Sequence, residues 1–209
     1  MTDIAGPTVH PTVYIVDDDA AVCDALGCLL EVTGFSVATH DTALHFLHHC
    51  PPDAAGCVVA DLRMPGMDGI ALQAEMVRRG YRMPIILISA HGDVSSAVGA
   101  LRAGAVDFLE KPFDEGLFIS RITEALHRDD VQRRQQADVA SASALLRRLS
   151  VREREVAALM IEGHANKIIA DHMSISVRTV ETHRANLLEK LGIRTLPELM
   201  RLWLQAGNR

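Results

Sequence analysis

The sequence lacks any apolar run long enough to cross a bilayer, and it has no low-complexity tract. A transmembrane helix needs roughly 20 consecutive, mostly apolar residues, so a membrane-spanning protein is not expected. The N-terminal stretch MTDIAGPTVHPT also lacks the basic start and apolar core of a secretory signal peptide. We therefore expect a protein of the cytoplasm that has no membrane partner.

Cysteine is scarce: the 209 residues include four, Cys23, Cys28, Cys50 and Cys57, and none of them forms a C-x-x-C pair. A disulfide framework or a zinc knuckle needs a different number or spacing of cysteines. We expect the four thiols to be reduced and mostly buried.

Histidines crowd in the stretch LHFLHHCPP, which places His45, His48 and His49 next to Cys50. A metal site is conceivable there, but its remaining ligands would have to come from elsewhere in the chain. A solvated helix end explains the stretch more simply, and we favour that interpretation.

Charge is unevenly distributed along the chain. Residues 1–126 contain 17 acidic and 7 basic residues, a net charge of −10, whereas residues 127–209 contain 10 acidic and 14 basic residues, a net charge of +4. Such asymmetry suggests two modules with different partners, the second facing an anionic polymer. A solvated basic surface would give the same count, so charge alone leaves both interpretations open.

The first 126 residues alternate short apolar runs with stretches of helical period. An apolar share of 48% is enough for an ordinary core. Strands are predicted at 13–16, 36–39, 57–60, 84–89 and 106–109. Helices are predicted at 20–33, 42–49, 70–79, 94–103 and 115–126, and three of them are followed by glycine, at Gly34, Gly80 and Gly104. Five strands that alternate with five helices predict an α/β fold with a parallel sheet covered on both faces.

Beyond residue 126 the pattern changes. Residues 127–144 carry no wide apolar stripe, which predicts a partly helical linker that continues the fifth helix. Residues 145–209 contain four predicted helices and no strand candidate, at 151–162, 166–173, 177–191 and 196–205. The short connections between them are typical of a helix-turn-helix. We therefore predict two domains, 1–126 and 145–209.

Acidic, hydroxyl and basic residues follow the predicted strands of the first domain. In an open parallel sheet, ligands bind beyond the carboxyl ends of the strands, so these residues should converge. Carboxylates held close together at neutral pH favour a divalent cation, and oxygen-only ligands favour Mg²⁺. The residues in question are Asp17, Asp18, Asp19, Asp61, Ser89 and Lys111.

Each group has a chemical role in such a site. Asp61 can act as a nucleophile toward a phosphoryl group, because carboxylates form acyl phosphates. Lys111 would neutralise charge on the phosphoryl oxygens, and Ser89 could donate a hydrogen bond to the product.

The segments VYIVDDD, DLRMPGMDG, LISAHGDV and GAVDFLEKPF resemble the receiver domain of bacterial two-component response regulators across residues 12–126. The resemblance implies a flavodoxin-like (βα)5 domain in which a partner histidine kinase phosphorylates Asp61. It also implies Mg²⁺ bound by Asp17, Asp18, Asp61 and the backbone carbonyl of Arg63.

The same resemblance assigns residues that transmit the signal. Ser89 matches the switch hydroxyl, and Lys111 matches the family lysine, which is followed by a cis peptide bond to Pro112. The aromatic switch position holds Phe108, where tyrosine is the commonest residue. A phenyl ring can move inward but has no hydroxyl to anchor its outward state.

The predicted helix 177–191 has two different faces. Val180, Leu187, Leu188 and Leu191 share an apolar side, with His183 at its edge, where partial packing is expected. The other side is polar and small enough to enter the major groove of DNA. The candidate DNA contacts are Arg178, Thr179, Glu181, Thr182 and Ala185, with Arg184, Lys190 and Lys167 flanking them toward phosphates.

Residues 149–205 resemble the LuxR-type helix-turn-helix. The resemblance implies that 177–191 is the recognition helix and that Glu155 supports the scaffold. Ser176 is expected to cap that helix, whereas Ala165 stands where a serine or threonine often caps the preceding one.

A receiver domain followed by a LuxR-type domain resembles a response regulator of the NarL/FixJ class, closest to its FixJ-like members. Phosphorylation should then change the surface around 94–103 and 106–109, so that a homodimer forms and binds promoter DNA. Ala97, Leu101 and Ala105 are candidates for that contact or, equally, for the core.

No turnover of an external substrate is expected beyond self-catalysed phosphorylation and dephosphorylation of Asp61. Two alternatives remain. A magnesium-dependent phosphatase also uses an aspartyl nucleophile, although Leu62 and Arg63 after Asp61 do not match the DxDx[TV] arrangement. The helical end could instead bind protein rather than DNA.

Overall fold

The structure, a computed structural model, describes residues 11–90 and 94–207, without the side chains of 94–96. Two stretches considered above lie outside the described residues: 1–10 of the N-terminus and 91–93 of LISAHGDV. The chain divides into two compact units, with the boundary between Gln132 and Arg133.

The first unit is a doubly wound α/β domain, which confirms the predicted flavodoxin-like fold. Its five strands are parallel in the order β2-β1-β3-β4-β5. The elements are β1 (Thr12–Val16), α1 (Ala20–Val32), β2 (Ser36–His40), α2 (Ala43–His49), β3 (Gly56–Asp61), α3 (Gly69–Arg78), β4 (Ile85–Ser89), α4 (Val94–Arg102), β5 (Asp107–Glu110) and α5 (Glu115–Leu146), which continues into the second unit.

The three central strands explain the near-continuous apolar runs of the sequence. Along β3, Val58 and Ala60 pack into one core cluster, whereas Cys57 and Val59 pack into another on the opposite face of the sheet. Strand order reverses between β1 and β3, so a crevice is expected where these two strands end.

Local capping agrees with the predicted helix ends. Gly34, Gly80 and Gly104 follow α1, α3 and α4 with positive φ angles of 92°, 82° and 103°. In α1 the side chain of Asp19 is the N-cap and accepts a hydrogen bond from Ala21 N. All four cysteines lie in the described residues as free thiols, and Cys28 alone is exposed.

The fifth helix continues through the whole predicted linker. Asp129, which is 2% exposed, accepts a hydrogen bond from the backbone amide of Gly56 at the start of β3 (2.9 Å). The predicted boundary at residue 126 therefore falls inside the first compact unit.

The second unit is helical throughout its described residues. After α5 it contains α6 (Val151–Ile161), α7 (Asn166–Met173), α8 (Val177–Leu191) and α9 (Leu196–Gln205). Val156, Ile169, Leu187 and Leu199 are fully buried at its centre. Helix α7 ends at Ser174 in the left-handed conformation, and the short turn to α8 gives the predicted helix-turn-helix.

Helix α7 begins without a side-chain cap. Ala165 occupies the N-cap with φ −71° and ψ 152°, and its methyl group offers no side-chain acceptor to the first amides of the helix. Ser176, the N-cap of α8, accepts one from Thr179 N (3.1 Å).

Ala165→Ser should raise the free energy of unfolding of the second unit by about 1 kcal/mol, because the extended backbone at this position suits a capping hydroxyl. The single tryptophan of the chain, Trp203, lies in α9, so urea unfolding followed by its fluorescence reports on this unit. Ala165→Val adds bulk without an acceptor and should give no gain. Equal stabilisation by valine would contradict the capping explanation.

Candidate functional site

Two carboxylates and a lysine meet at the carboxyl edge of the sheet. Asp17 follows β1, Asp61 ends β3, and Lys111 follows β5. The Lys111 Nζ donates hydrogen bonds to Asp17 Oδ2 (2.8 Å) and to Asp61 Oδ1 (2.9 Å). Asp17 is 3% exposed, whereas the side chain of Asp61 is 13% exposed and can be reached from solvent.

The charge state of Lys111 follows from these contacts. Burial by itself would lower the pKa of Lys111, but the hydrogen bonds and negative charges of Asp17 and Asp61 outweigh it and raise the pKa above its ordinary value of 10.5. Lys111 is therefore a fixed cation at neutral pH, and it holds together two carboxylates that would otherwise repel each other.

The loop after β3 holds Asp61 in place. Asp61 Oδ2 accepts a hydrogen bond from Arg63 N (2.7 Å), and Leu62 N donates to the carbonyl of Ile88 (2.7 Å). The backbone of Gly69 lies so close to Asp61 that a Cβ at position 69 would be 2.6 Å from the carbonyl oxygen of Asp61. Only glycine fits there without a shift of the backbone. Sequence reasoning missed the role of Gly69, although the glycine of the MDG stretch is a signal for close backbone approach.

The three aspartates after β1 have different environments. Asp17 Oδ1 accepts a hydrogen bond from Asp19 N (3.0 Å), which orients the Asp17 carboxylate. Asp18 is exposed beside it. Asp19 is the N-cap of α1 and is exposed, so its carboxylate serves the helix rather than the pair formed by Asp17 and Asp61.

Ser89 and Phe108 lie on the neighbouring strands. Ser89 ends β4 and is 1% exposed, and its carbonyl accepts a hydrogen bond from Lys111 N (2.7 Å). Phe108 on β5 is half-buried and pairs in register with Leu87. The peptide bond between Lys111 and Pro112 is cis, as the family resemblance implied.

The candidate contact residues on α4 and β5 fall into different environments. Leu101 is 48% exposed and lies on the surface. Ala105 is 6% exposed and belongs to the core, and Ala97 is intermediate. Of these three, Leu101 is the residue that the structure leaves available for a partner.

Asp17, Asp61 and Lys111 form what we call the acidic pocket, and its carboxylate oxygens suit a cation that prefers oxygen ligands. No group of three His, Cys, Asp or Glu side chains is arranged to hold a metal ion within residues 11–90 and 94–207. Mg²⁺ does not require such a group, because it is typically bound by one or two carboxylates together with water and phosphate oxygens. Asp17 and Asp61 meet that requirement.

In the second unit, α8 presents a polar face. Val180, Leu187 and Leu191 are buried, and His183 is half-buried at the edge of this apolar side. Thr179 is partly buried beside the Ser176 cap. The predicted base-reading residues that lie exposed on the outer side are Arg178, Glu181, Thr182 and Ala185.

The three cations assigned to phosphate contact differ in their surroundings. Lys167 is exposed at the start of α7. Arg184 is partly buried and donates to Asn166 Oδ1, also at the start of α7. Lys190 donates to both carboxylate oxygens of Glu153 on α6, at 2.8 and 2.7 Å. Arg184 and Lys190 therefore also link α8 to its neighbours.

The scaffold carboxylate is Glu153 rather than Glu155, which corrects the expectation from the sequence. Glu153 is 3% exposed and also accepts a hydrogen bond from Ser150 N (2.8 Å). Glu155 is exposed and pairs with Arg152 one turn away. The hydrogen bonds from Lys190 and from the Ser150 backbone hold the pKa of Glu153 below its ordinary value of 4.5.

Glu153→Gln should lower the free energy of unfolding of the second unit by about 1–3 kcal/mol, because charge-assisted bonds to a buried carboxylate are lost. The depressed pKa means that this stabilisation is present above the unfolded pKa and disappears as the pH falls through the folded pKa, where Glu153 becomes neutral. Trp203 fluorescence during urea unfolding at several pH values measures both effects.

Glu155→Gln, the same change two residues later, is the matched control and should cost less than about 0.5 kcal/mol because its ion pair is exposed. A larger loss in this control than in Glu153→Gln would restore the original assignment.

Comparison with protein families matches both units. The model of response regulator receiver domains matches residues 13–123, and the model of the LuxR family of bacterial regulatory proteins matches residues 147–203. The transcriptional regulatory protein FixJ of Azorhizobium caulinodans is 44% identical over 195 residues, which cover 93% of this chain and 92% of that protein.

Two solved structures can be aligned to nearly the whole length of the chain. The response regulator StyR superposes with a TM-score of 0.87 at 40% identity, over 94% of this chain and 99% of that one. Full-length FixJ from B. japonicum gives a TM-score of 0.59 at 42% identity, over 96% and 98% of the two chains.

Proposed function

The chain belongs to the two-component response regulators that join a receiver domain to a LuxR-type DNA-binding domain, as FixJ does, and from that premise we propose that Asp61 is its phosphoryl acceptor. The observation that supports this most directly is the position of Lys111, which donates to Asp61 and Asp17 together at the carboxyl edge of the sheet. Asp61 is the more accessible of the two carboxylates.

In this proposal a sensor histidine kinase donates the phosphoryl group. A carboxylate oxygen of Asp61 attacks phosphorus while the bond to the histidine nitrogen of the kinase breaks. Lys111 neutralises charge that develops on the phosphoryl oxygens, and the hydroxyl of Ser89 donates to the product. The amide of Arg63 and the close packing of Gly69 keep Asp61 in position throughout.

Asp17, Asp18, Asp61 and the carbonyl of Arg63 are the proposed Mg²⁺ ligands. The cation would supply charge neutralisation for the incoming phosphoryl group. The amide of Asp19 orients the buried carboxylate of Asp17 for this role.

Phosphorylation is proposed to act through Ser89 and Phe108 on a surface that includes Leu101. A phosphoryl group adds negative charge and a small number of hydrogen bonds, so it can only bias an equilibrium that is already nearly balanced. The resulting homodimer would place two α8 helices on neighbouring half-sites of promoter DNA in the bacterial cytoplasm.

The phosphorylation proposal is tested with acetyl phosphate as the donor. Full-length protein incubated with acetyl phosphate and Mg²⁺ should gain the mass of one phosphoryl group, and the gain should vanish when Mg²⁺ is chelated. Borohydride reduction converts an aspartyl phosphate to homoserine, which peptide mapping can locate at position 61. Homoserine at any other aspartate would overturn the assignment.

The exposed positions of the second unit separate base reading from phosphate binding. On DNA selected from a random pool, Glu181→Ala should change the preferred sequence, since Glu reads cytosine in the major groove. Lys167→Ala should weaken binding to all sequences alike and reduce the salt slope by about one per bound chain. Fluorescence anisotropy across a salt series measures both, and identical behaviour of the two variants would refute this division of roles.

A further inference from the structure

Three imidazole rings crowd together at the end of β2 and along α2, apart from the acidic pocket. The ring centroids of His40 and His45 are 5.2 Å apart, and those of His45 and His49 are 4.4 Å apart. His45 and His49 are four residues apart on the same helix, the spacing at which two histidines project from one face and can bind the same ion.

Hydrogen bonds determine the tautomers of the two helical histidines. His45 Nδ1 lies 2.9 Å from a carboxylate oxygen of Asp41, and His49 Nδ1 lies 2.9 Å from the carbonyl oxygen of His45. A carbonyl oxygen can only accept a hydrogen bond, and so can the oxygen of an ionised carboxylate. The hydrogen bond from His45 favours the ionised form of Asp41, because it lowers the pKa of that carboxyl. Each Nδ1 therefore carries a proton, which leaves Nε2 as the nitrogen that can bind a metal ion.

Such contacts are characteristic of metal-binding histidines, which usually donate the ring N–H opposite the ligating nitrogen to a carboxylate or a carbonyl. Here both kinds of acceptor are present, one for each ring. The side chain of His45 is 45% exposed, so an ion can reach the pair from solvent.

His40 adds a second, independent observation. It is 9% exposed, and neither ring nitrogen has a hydrogen-bond partner among the described residues. A buried polar group without a partner is costly. Its ring packs edge-to-face against that of His45, so this unpartnered imidazole adjoins the pair formed by His45 and His49.

We propose that His45 and His49 form a two-histidine chelate for Zn²⁺ or a similar borderline divalent ion, with His40 as the adjoining third imidazole. The part of the chain that the structure describes holds no arrangement of three such side chains already set for a metal. The remaining coordination positions therefore belong to water, or to His40 after its ring rotates. Imidazole nitrogen selects Zn²⁺, Cu²⁺ or Ni²⁺ and not Mg²⁺, so the two sites have different metals.

A backbone hydrogen bond connects this histidine site to the pocket that contains Asp17 and Asp61. The carbonyl of His40 accepts a hydrogen bond from the backbone amide of Asp17 (3.2 Å). An ion at the histidines would thus stabilise the end of β2 against which Asp17 is positioned.

The test uses full-length protein, Zn²⁺ and an excess of Mg²⁺ that keeps the acidic pocket occupied. Zn²⁺ is titrated against a chromophoric chelator, and the histidine ring signals are followed by NMR. One Zn²⁺ should bind per chain, with shifts at His45 and His49. Both residues are exposed, so His45→Gln and His49→Gln should fold normally and lose this binding.

His48→Gln is the matched control, because His48 is an exposed histidine of the same helix with neither of these contacts. It should bind Zn²⁺ as the wild type does. Asp41→Asn should weaken binding by roughly tenfold through the loss of the orienting carboxylate. Zn²⁺ binding that survives in both His45→Gln and His49→Gln, or that is lost equally in His48→Gln, would overturn the proposal.

Discussion

Asp61→Asn should gain no phosphoryl mass from acetyl phosphate under conditions that fully modify the wild type. The amide of asparagine is neutral and its nitrogen lone pair is delocalised, so it is a far weaker nucleophile than a carboxylate and no acyl phosphate forms. The side chain has the same size, so the loop held by Arg63 N and Gly69 should keep its fold. Intact-protein mass spectrometry over time measures the loss directly.

Asp24→Asn provides the matched control for this experiment. Asp24 is exposed on α1, so the same change there should leave the mass gain intact. Persistent phosphorylation of Asp61→Asn would show that another group accepts the phosphoryl, whereas loss in both variants would indicate a general effect of charge.

Lys111→Gln should slow phosphorylation of Asp61 by roughly 10²- to 10³-fold, the usual loss when a preorganised electrostatic group at a developing charge is removed. Glutamine can still accept or donate hydrogen bonds but cannot offset the charge of Asp17, Asp61 and the phosphoryl oxygens. The initial rate of the mass gain measures this effect. Lys111→Arg keeps the charge in a different geometry, so an intermediate rate is expected.

The same variant has a predicted effect on stability. The pKa of Lys111 is raised in the folded protein, so its stabilisation is fully present below its unfolded pKa and is lost as the pH rises through the folded pKa. Lys111→Gln should thus unfold more easily than wild type at neutral pH, and the difference should close only in strong alkali. Urea titrations of both proteins from neutral to strongly alkaline pH measure this difference in the free energy of unfolding. Equal values for the two proteins at neutral pH would contradict the bridging role of Lys111.

Much of the fold follows from local pattern alone. The predicted spans 166–173, 177–191 and 196–205 agree with α7, α8 and α9 to the residue. The bounds of these helices can be predicted because the signals are local. The apolar period and the terminal residues, such as Ser176 and Gly192, act over one or two turns of helix. The fifth helix differs: its apolar stripe fades after 126, yet it continues to Leu146 because the backbone has no Gly or Pro there to end it.

Ion pairs between residues that are far apart in the chain are harder to predict from the sequence. The helix α6 carries Glu153 and Glu155 in the same short segment, and sequence reasoning assigned the scaffold role to the wrong one. Lys190 pairs with Glu153 because α8 packs against the side of α6 that carries Glu153. The two residues are 37 positions apart in the chain. No period or propensity within α6 contains that information.

The sequence by itself determined two modules, the alternation of strands and helices, and the identity of the chemical groups at the strand ends. Only the tertiary structure decided that β1 lies between β2 and β3. Lys111 donates hydrogen bonds to both Asp17 and Asp61, and the amide of Asp17 donates to the carbonyl of His40. The reason is physical: propensity and hydrophobic period act between near neighbours in the chain. Strand order and ion pairing depend on contacts between residues that are distant in sequence.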